Sequence, residues 1–374
     1  MPHYTGPIID VDTHHQPRNA SELLKYFPDE WRQYAEANPH KRFSSSPNGG
    51  SFGLLGAINI KSDSVTGDAL KGTSYELYRD QHLGRDNYHR ALLLHQLGDQ
   101  GAHTNPYLAR ALCSALNQWN IDTWLTYDER LVSAVVVPSA EPEEAAKEIR
   151  KVGQHPKMVA VLLCGNPFGR PFGDPLFHPI YEAAAEMNMP VAIHSNNWYD
   201  RPNTSVLMVG GWSNHLSGSS SAQQGMHYIS SFLVHGVFEK FPNLQIVITE
   251  FGLGWLPSVV IGLDENYKQL RLESPWVKRW PSEYVHDNIS LTTQPIEESP
   301  DDRGALAELL STIDGIDDML CFSSDYPHGT MDVPDYVERI LPSSWHEKVF
   351  FRNAARIYGL PLPETAQPGV GGTV

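Results

Sequence analysis

The chain has few of the features that mark extracellular, membrane or redox proteins. Only three cysteines occur in 374 residues, and no Cys-x-x-Cys pair is among them, which argues against a disulfide framework, a zinc knuckle and a dithiol redox site. No apolar run reaches the ~18 residues of a membrane-spanning helix, and the first residues lack the basic and apolar regions of a secretory signal. We therefore expect a soluble, cytoplasmic protein with reduced thiols and no membrane partner.

Positive charge is also scarce. Lys and Arg number 28 against 44 Asp and Glu, which gives a formal net charge of −16, and the chain has no basic run of the kind that binds phosphates. Nucleic acid is therefore not an expected partner. The negative charge also opposes the approach of an anionic substrate, so a carboxylate substrate would need a metal ion or a local cation to hold it.

The chain instead alternates apolar, β-branched runs with amphipathic helical patterns, which indicates βα units around a buried parallel sheet. Its length admits two average domains or one large barrel. A doubly wound sheet is the alternative architecture, and the lack of a Gly-x-Gly-x-x-Gly turn after the first strand disfavours it. We predict an α/β fold, a (β/α)8 TIM-type barrel, with strands at 8–12, 91–97, 131–138, 158–164, 190–194, 245–250, 289–293 and 319–324.

The predicted barrel domain covers residues 1–360. The stretch 17–90 is too long for a simple crossover and is expected to be a partly helical insertion after the first strand. Its segment 44–56, rich in Ser, Gly, Asn and Pro, is typical of a loop, and a lid or an oligomer contact would fit there. Residues 361–374 have few apolar anchors and are expected to form a flexible tail.

A carboxylate and an imidazole lie two positions apart at the end of the first predicted strand. Asp12 and His14 would project from one face of a strand, and His15 from the other. One carboxylate with one imidazole is a ligand set that suits Zn, Mn or Fe. The structural alternative is an Asp that caps a turn beside a solvated His.

Three further polar residues, His194, Glu250 and Asp325, end later predicted strands. In a barrel the carboxyl ends of the strands form the active-site face, so a single site is the leading hypothesis. Each residue also has a structural alternative: a hydrogen-bonded buried histidine for His194, an ion pair with an Arg for Glu250, and a helix cap for Asp325. Trp198, Tyr199 and Trp255 follow strand ends and could stack on a planar ring, unless they only fill the core.

Longer motifs accompany these residues from position 8 to about 360. Together they resemble the metal-dependent amidohydrolase superfamily, in the amidohydrolase-related (amidohydrolase 2) branch that contains aminocarboxymuconate semialdehyde decarboxylase and γ-resorcylate decarboxylase. The segments that carry the resemblance are 10–14 (DVDTH), 177–184 (FHPIYEAA), 190–194 (PVAIH), 236–244 (GVFEKFPNL), 250–257 (EFGLGWLP), 324–328 (SDYPH) and 353–360 (NAARIYGL).

The resemblance implies a site for one divalent ion, Zn or Mn, whose ligands are residue by residue Asp12, His14, His194 and Asp325. Relatives usually carry His-x-His on the first strand. Asp12 replaces the first of these histidines, as Glu does in the resorcylate decarboxylase-like members. Glu250 stands where relatives often place a catalytic His, so proton transfer has to be reassigned or the reaction differs.

The implied activity is non-oxidative decarboxylation of a small hydroxylated aromatic or unsaturated carboxylic acid. Asp325 is the first candidate for the residue that protonates the carbon that loses carbon dioxide, and Glu250 or His328 come next. The alternative is hydrolysis of an amide, ester or lactone, in which Asp325 takes the proton of a water activated by the ion. A second alternative is a non-catalytic barrel that binds a small molecule. Relatives are commonly homodimers or homotetramers, which is expected here too.

Overall fold

Eight parallel strands form one sheet in the order β1 to β8. They belong to a computed structural model, which describes residues 3–37, 72–103, 105–165, 169–195 and 219–362. Each of the eight predicted strands is present, with boundaries that differ by a few residues. The strands are β1 Ile8–His15, β2 Tyr88–His95, β3 Leu131–Val136, β4 Met158–Cys164, β5 Val191–His194, β6 Ile246–Thr249, β7 Ile289–Thr292 and β8 Leu320–Cys321.

The sheet closes on itself where β1 meets the chain that follows β8. The backbone N–H of Val11 donates to the carbonyl of Phe322 at 3.1 Å, and that of His14 donates to the carbonyl of Tyr326 at 2.7 Å. The α/β barrel is therefore confirmed, and the doubly wound alternative is excluded.

Helices alternate with the strands and cover the outside of the barrel. The predicted helix at 224–241 is divided in the structure, because Gly236 adopts a left-handed conformation with φ of 67°, which ends one helix before the next begins. The helices are α1 Asp29–Ala37, α2 Tyr75–Tyr78, α3 Pro106–Asp122, α4 Trp124–Tyr127, α5 Pro142–Val152, α6 His178–Glu186, α7 Ser219–Val234, α8 Val237–Lys240, α9 Leu256–Leu270, α10 Pro281–Asn288, α11 Ala305–Leu310, α12 Pro334–Ile340 and α13 Asn353–Ile357.

The insertion after β1 is partly helical, as predicted. Besides α1 and α2 it contains a 3-10 segment, Ala20–Tyr26, and a π-helical turn, Arg79–Leu83, that leads towards β2. The predicted loop at 44–56 and most of the predicted tail at 361–374 lie outside the described residues. Within the described ranges, no helix has both the length and the apolarity needed to span a bilayer.

The Asp128 side chain links the insertion to the barrel through hydrogen bonds. These bonds lead to a prediction for stability at low pH. Its carboxylate accepts hydrogen bonds from the Arg130 guanidinium at 2.7 Å and from the Tyr75 hydroxyl at 3.1 Å. Burial works to raise the pKa of Asp128, but these hydrogen bonds and the Arg130 charge hold it down to about 2.

Because the folded pKa is lower than the usual ~4, the contribution of Asp128 to stability is complete above about pH 4 and is lost as the pH falls towards 2. We expect Asp128→Asn to lower the free energy of unfolding by about 1–2 kcal/mol at pH 7. Urea unfolding of both proteins at pH 7, 5 and 3.5 tests this. The difference should be the same at pH 7 and pH 5 and smaller at pH 3.5, and a difference that grows on acidification would contradict the assignment.

Candidate metal centre

An irregularity in β1 turns the first two candidate ligands into the barrel. Asp10 pairs with Ala91 of β2 and Thr13 pairs with Leu93, so two residues of β1, Val11 and Asp12, lie opposite one residue of β2. This is a β-bulge, which shifts the alternation of side chains by one position. Val11 packs inside the barrel, and because of the bulge Asp12 faces inward as well.

Four candidate ligands from three strand ends converge inside the mouth of the barrel. Nε2 of His14 lies 3.3 Å from Oδ1 of Asp12 and 2.9 Å from Oδ1 of Asp325. Nε2 of His194 lies 3.7 Å from Oδ2 of Asp12. All four side chains are buried, so residues that are distant in the sequence form one polar cluster.

Glu250 lies beside this cluster, at the end of β6. Its Oε2 is 3.2 Å from Nε2 of His194 and accepts a hydrogen bond from the Ser195 hydroxyl at 2.9 Å. The contact is with a histidine, so the arginine ion pair considered from the sequence is not what holds Glu250. The residue has a φ of 66°, and such strained backbone in a non-glycine residue is concentrated at functional sites.

Asp325 is held by residues from two directions. Its Oδ1 accepts a short hydrogen bond from Nδ1 of His328, and its Oδ2 accepts one from the Gln294 side-chain amide at 3.3 Å. Asp325 also has a positive φ, of 62°. Both carboxylates of the barrel mouth thus have a positive φ: Glu250 directly follows β6, and Asp325 lies four residues after the end of β8.

The electrostatics of the cluster follow from burial of carboxylates and imidazoles together. Burial works to lower the pKa of His14 and His194, but the Asp12 charge outweighs it and raises the pKa of both above the usual value, assisted by Asp325 at His14 and by Glu250 at His194. The neighbouring carboxylates therefore favour the protonated form of both imidazoles, and a metal ion would compete with these protons.

The two strained carboxyl groups have pKa values that are shifted in opposite directions. Burial works to raise the pKa of Asp325, but His328 and His14 hold it well below its usual range. Burial and the neighbouring Asp325 charge raise the pKa of Glu250 to about 7. Paired carboxyl groups with separated pKa values are a common arrangement for acid and base chemistry.

The donor set fits a divalent transition-metal ion. Nδ1 of His14 donates to the Leu94 carbonyl at 3.1 Å and Nδ1 of His194 donates to the Ser195 carbonyl at 2.8 Å. Such bonds orient the ring and leave Nε2 free to bind metal. Among the described residues, both Nε2 atoms and both Asp12 carboxylate oxygens are buried and make no hydrogen bond of good geometry, although they lie 2.9–3.7 Å from neighbouring ligand atoms. Such burial is costly unless an ion or water satisfies these atoms.

The structure brings another set of potential ligands together at the surface, namely His3, Asp335 and Glu338. The side chains of His3 and Asp335 are 60% and 69% exposed. Exposed acidic and imidazole groups are solvated by water and need no ion to compensate them. The buried cluster is therefore the stronger candidate for a metal site.

The remaining predicted site residues lie in different surroundings. Trp255 is buried against Gly225 of α7, and its indole N–H donates to the carbonyls of Phe251 and Gly252. Its role as a stacking surface for a substrate stays a prediction, while its packing in the helical layer is observed. Trp198 and Tyr199 lie outside the described residues.

Three residues at the site were not identified from the sequence. Ser195 contacts Glu250, Gln294 contacts Asp325, and Asp10 contacts the backbone of Asp12. Ser195 directly follows the predicted ligand His194, and Gln294 directly follows a predicted strand. These positions, and for Asp10 its place in the segment 10–14, were the sequence signals that pointed to them.

A closed barrel with buried imidazole and carboxylate groups at the carboxyl ends of its strands is the architecture of a metal-dependent TIM-barrel enzyme. The profile of the amidohydrolase family (Amidohydro_2) matches residues 74–360. The chain belongs to the amidohydrolase family and is a metal-dependent enzyme of the amidohydrolase superfamily. The match begins after β1, so Asp12 and His14 lie outside it. No curated protein matches the chain.

Solved structures of similar fold include an amidohydrolase from Mycobacterium avium subsp. paratuberculosis, which is 19% identical with a TM-score of 0.66 over 94% of this chain and 99% of that one. A 5-carboxyvanillate decarboxylase from Novosphingobium aromaticivorans, complexed with manganese and 4-hydroxy-3-methoxy-5-nitrobenzoic acid, is 19% identical with a TM-score of 0.65 over 94% and 96% of the two chains. A dihydroxybenzoic acid decarboxylase from Polaromonas sp., with manganese and 2-nitroresorcinol, is 16% identical with a TM-score of 0.65 over 97% and 99%. At these identities the likeness is one of fold.

Proposed function

We propose that this chain is a metal-dependent non-oxidative decarboxylase, a carboxy-lyase that acts on a small hydroxylated aromatic carboxylic acid. The observation that carries the proposal is the convergence of Asp12, His14, His194 and Asp325 around buried, unpartnered nitrogen and oxygen atoms. Two of the structures with a similar fold are decarboxylases of aromatic acids, which supports the same substrate class here.

The four converging residues would hold one divalent ion, Mn²⁺ or Zn²⁺. Two imidazoles and two carboxylates suit both ions, and the manganese in the two similar decarboxylase structures makes Mn²⁺ the first to test. The ion would bind the substrate carboxylate and its neighbouring hydroxyl oxygen and stabilise the negative charge that develops there. It would also offset the acidity of a chain whose formal charge is −16, which otherwise repels such a substrate.

Glu250 is the side chain we assign to proton transfer. Within the part of the chain that the structure describes, its contacts with His194 and Ser195 both use Oε2, which leaves Oε1 for a substrate. Oδ1 and Oδ2 of Asp325 both accept hydrogen bonds, from His328 and Gln294, which suits a fixed ligand better than a proton donor. The sequence favoured Asp325 as the proton donor, and we now assign that role to Glu250. His328 is assigned to orient Asp325.

In the proposed step the bond between the ring carbon and the carboxylate breaks and its electron pair stays on the carbon. The proton of the Glu250 carboxyl then adds to that carbon, carbon dioxide leaves, and Glu250 regains a proton from water. Stacking of the ring on Trp198, Tyr199 or Trp255 belongs to this proposal, as does assembly into a homodimer or homotetramer.

A hydrolase of an amide, ester or lactone is the second candidate, because Glu250, in contact with a candidate ligand, is equally placed to take a proton from water. Metal-loaded protein incubated with a panel of hydroxybenzoates in D₂O separates the two. We expect carbon dioxide and a phenol in equal amounts, with one deuterium at the vacated carbon. Oxygen-18 incorporation from labelled water into products of amides, esters or lactones, with no carbon dioxide from the acids, would favour hydrolysis.

Metal removal tests the same proposal. Dialysis against a chelator should abolish carbon dioxide release, and one equivalent of Mn²⁺ or Zn²⁺ should restore it, because the substrate carboxylate then regains its binding partner. If the purified protein holds less than about a tenth of an equivalent of divalent metal and added ions change nothing, the chain is a barrel that binds a small molecule without catalysis.

A further inference from the structure

Asp10 is the one carboxylate of β1 that faces away from the metal cluster. It pairs in register with Ala91, whose side chain belongs to the outer layer between barrel and helices, and it is completely buried there. A carboxylate in an apolar layer costs several kcal/mol unless it is paired and hydrogen-bonded. The contacts of the Asp10 carboxylate therefore indicate its structural role.

One oxygen of Asp10 links two of the three chain segments that carry ligands. Its Oδ1 accepts the backbone N–H of Asp12 at 3.1 Å and the backbone N–H of Ser324 at 3.0 Å. Asp12 lies in the β1 bulge, where an N–H is released from the regular strand ladder. Ser324 directly precedes Asp325. A single carboxylate oxygen thus ties the bulge to the end of β8.

The other carboxylate oxygen of Asp10 contacts the insertion that follows β1. Its Oδ2 lies 3.0 Å from Nε2 of His82, a residue of the π-helical turn Arg79–Leu83. The His82 ring lies between Tyr88 at 4.3 Å and Tyr326 at 5.2 Å, measured between ring centroids. These rings fix the imidazole, and Tyr326 directly follows Asp325.

We propose that Asp10 and His82 form a positioning pair that holds the β1 bulge in place and thereby sets the geometry of the metal ligands. Without the bulge, regular alternation after Val11 would turn Asp12 towards the helices and away from the barrel. The pair touches no substrate, because both residues lie in the outer layer. The inference rests on the proposed metal centre and gives the insertion after β1 a role in it.

The test compares metal affinity in folded variants. Asp10→Leu removes the acceptor for both N–H groups and should weaken Mn²⁺ binding about 10–100-fold, the range typical for residues that orient metal ligands. Asp10→Asn keeps an acceptor oxygen for these groups, and its amide N–H can still donate to Nε2 of a neutral His82 ring, so it should lose less than about threefold. His82→Phe preserves the ring packing but removes the imidazole nitrogen that lies 3.0 Å from Oδ2, and should weaken binding about fivefold or more.

Affinity is measured by competition with a chromophoric chelator, and the EPR spectrum of bound Mn²⁺ reports the ligand geometry. The Asp10→Leu and His82→Phe spectra should differ from that of the wild type. The matched control is Asn117→Leu, because Asn117 is buried and accepts the backbone N–H of Val136 at 2.9 Å on β3, a strand without a site residue. It should lower stability and leave Mn²⁺ affinity unchanged.

Unchanged Mn²⁺ affinity and an unchanged EPR spectrum in folded Asp10→Leu and His82→Phe would overturn the positioning role. If Asp10→Leu does not fold, His82→Phe decides by the same criteria. A failure of the proposed metal centre is distinguishable, because the wild type itself would then bind no Mn²⁺. If the wild type binds one Mn²⁺ and the variants bind it with the same affinity, the proposed metal centre is supported and only the positioning role of Asp10 and His82 is refuted.

Discussion

His194→Ala is expected to bind the metal ion more than about 100-fold more weakly than the wild type. At sub-stoichiometric metal it should therefore show no measurable turnover. The reason is geometric. Nε2 of His194 is buried, makes no hydrogen bond of good geometry with the described residues, and lies 3.7 Å from Asp12 and 3.2 Å from Glu250. Removing a residue that only orients a ligand typically lowers metal affinity by about 10–100-fold. Removing a ligand itself should lower the affinity further.

Metal content after gel filtration and competition titration measure this loss, and circular dichroism confirms that the barrel persists. His346→Ala is a matched control, because His346 is equally buried and its Nε2 donates to the Leu341 carbonyl at 3.0 Å, away from the barrel mouth. We expect the control to be less stable and to bind metal normally. A His194→Ala protein with full metal content would remove His194 from the site.

Glu250→Gln should retain the metal and lose about 10²–10⁴-fold in kcat, the range that general acid–base groups contribute. Gln keeps the shape of the side chain and an oxygen for the Ser195 hydroxyl, but it carries no proton to give to carbon. The effect should fall on kcat rather than on KM, because the proposed role belongs to the chemical step and not to substrate binding.

Glu148→Gln provides the control for charge removal. Glu148 is a partly buried carboxylate of α5 that accepts a hydrogen bond from Asn117 at 3.0 Å, and its replacement should leave kcat unchanged. Deuterium incorporation at the vacated carbon should slow in parallel with carbon dioxide release in Glu250→Gln. Unaltered kcat over the whole pH range would reduce Glu250 to a structural role and return proton transfer to Asp325 or His328.

The sequence contained enough information for the fold because each strand is an apolar run whose neighbours in the chain are also its neighbours in the sheet. The eight predicted strands and their parallel order follow from that local pattern. The convergence of His194 with Asp12 could be anticipated for the same reason, since strand ends of a closed barrel meet at one face. Strand boundaries were less accurate, and β1 continues to His15 because Thr13, His14 and His15 still pair with β2.

The features missed by the sequence depend on contacts between distant segments. Side-chain alternation correctly placed Asp12 and His14 on one face, but the direction of that face is set by the bulge at Val11 and Asp12, which no local pattern reveals. Asp10 repeats the same two-residue spacing and yet faces the other way for this reason. For Trp255 the sequence left two surroundings open, because an aromatic residue after a strand can stack on a ligand or pack in the core; packing against a helix glycine is observed, and stacking stays a prediction.

The central claim is that Asp12, His14, His194 and Asp325 bind one divalent ion. Its most direct test is an anomalous difference map from a crystal of the Mn²⁺-loaded protein. We expect one strong peak about 2.0–2.3 Å from a carboxylate oxygen of Asp12 and of Asp325 and from Nε2 of His14 and of His194. A peak elsewhere, or none at saturating Mn²⁺, would contradict it.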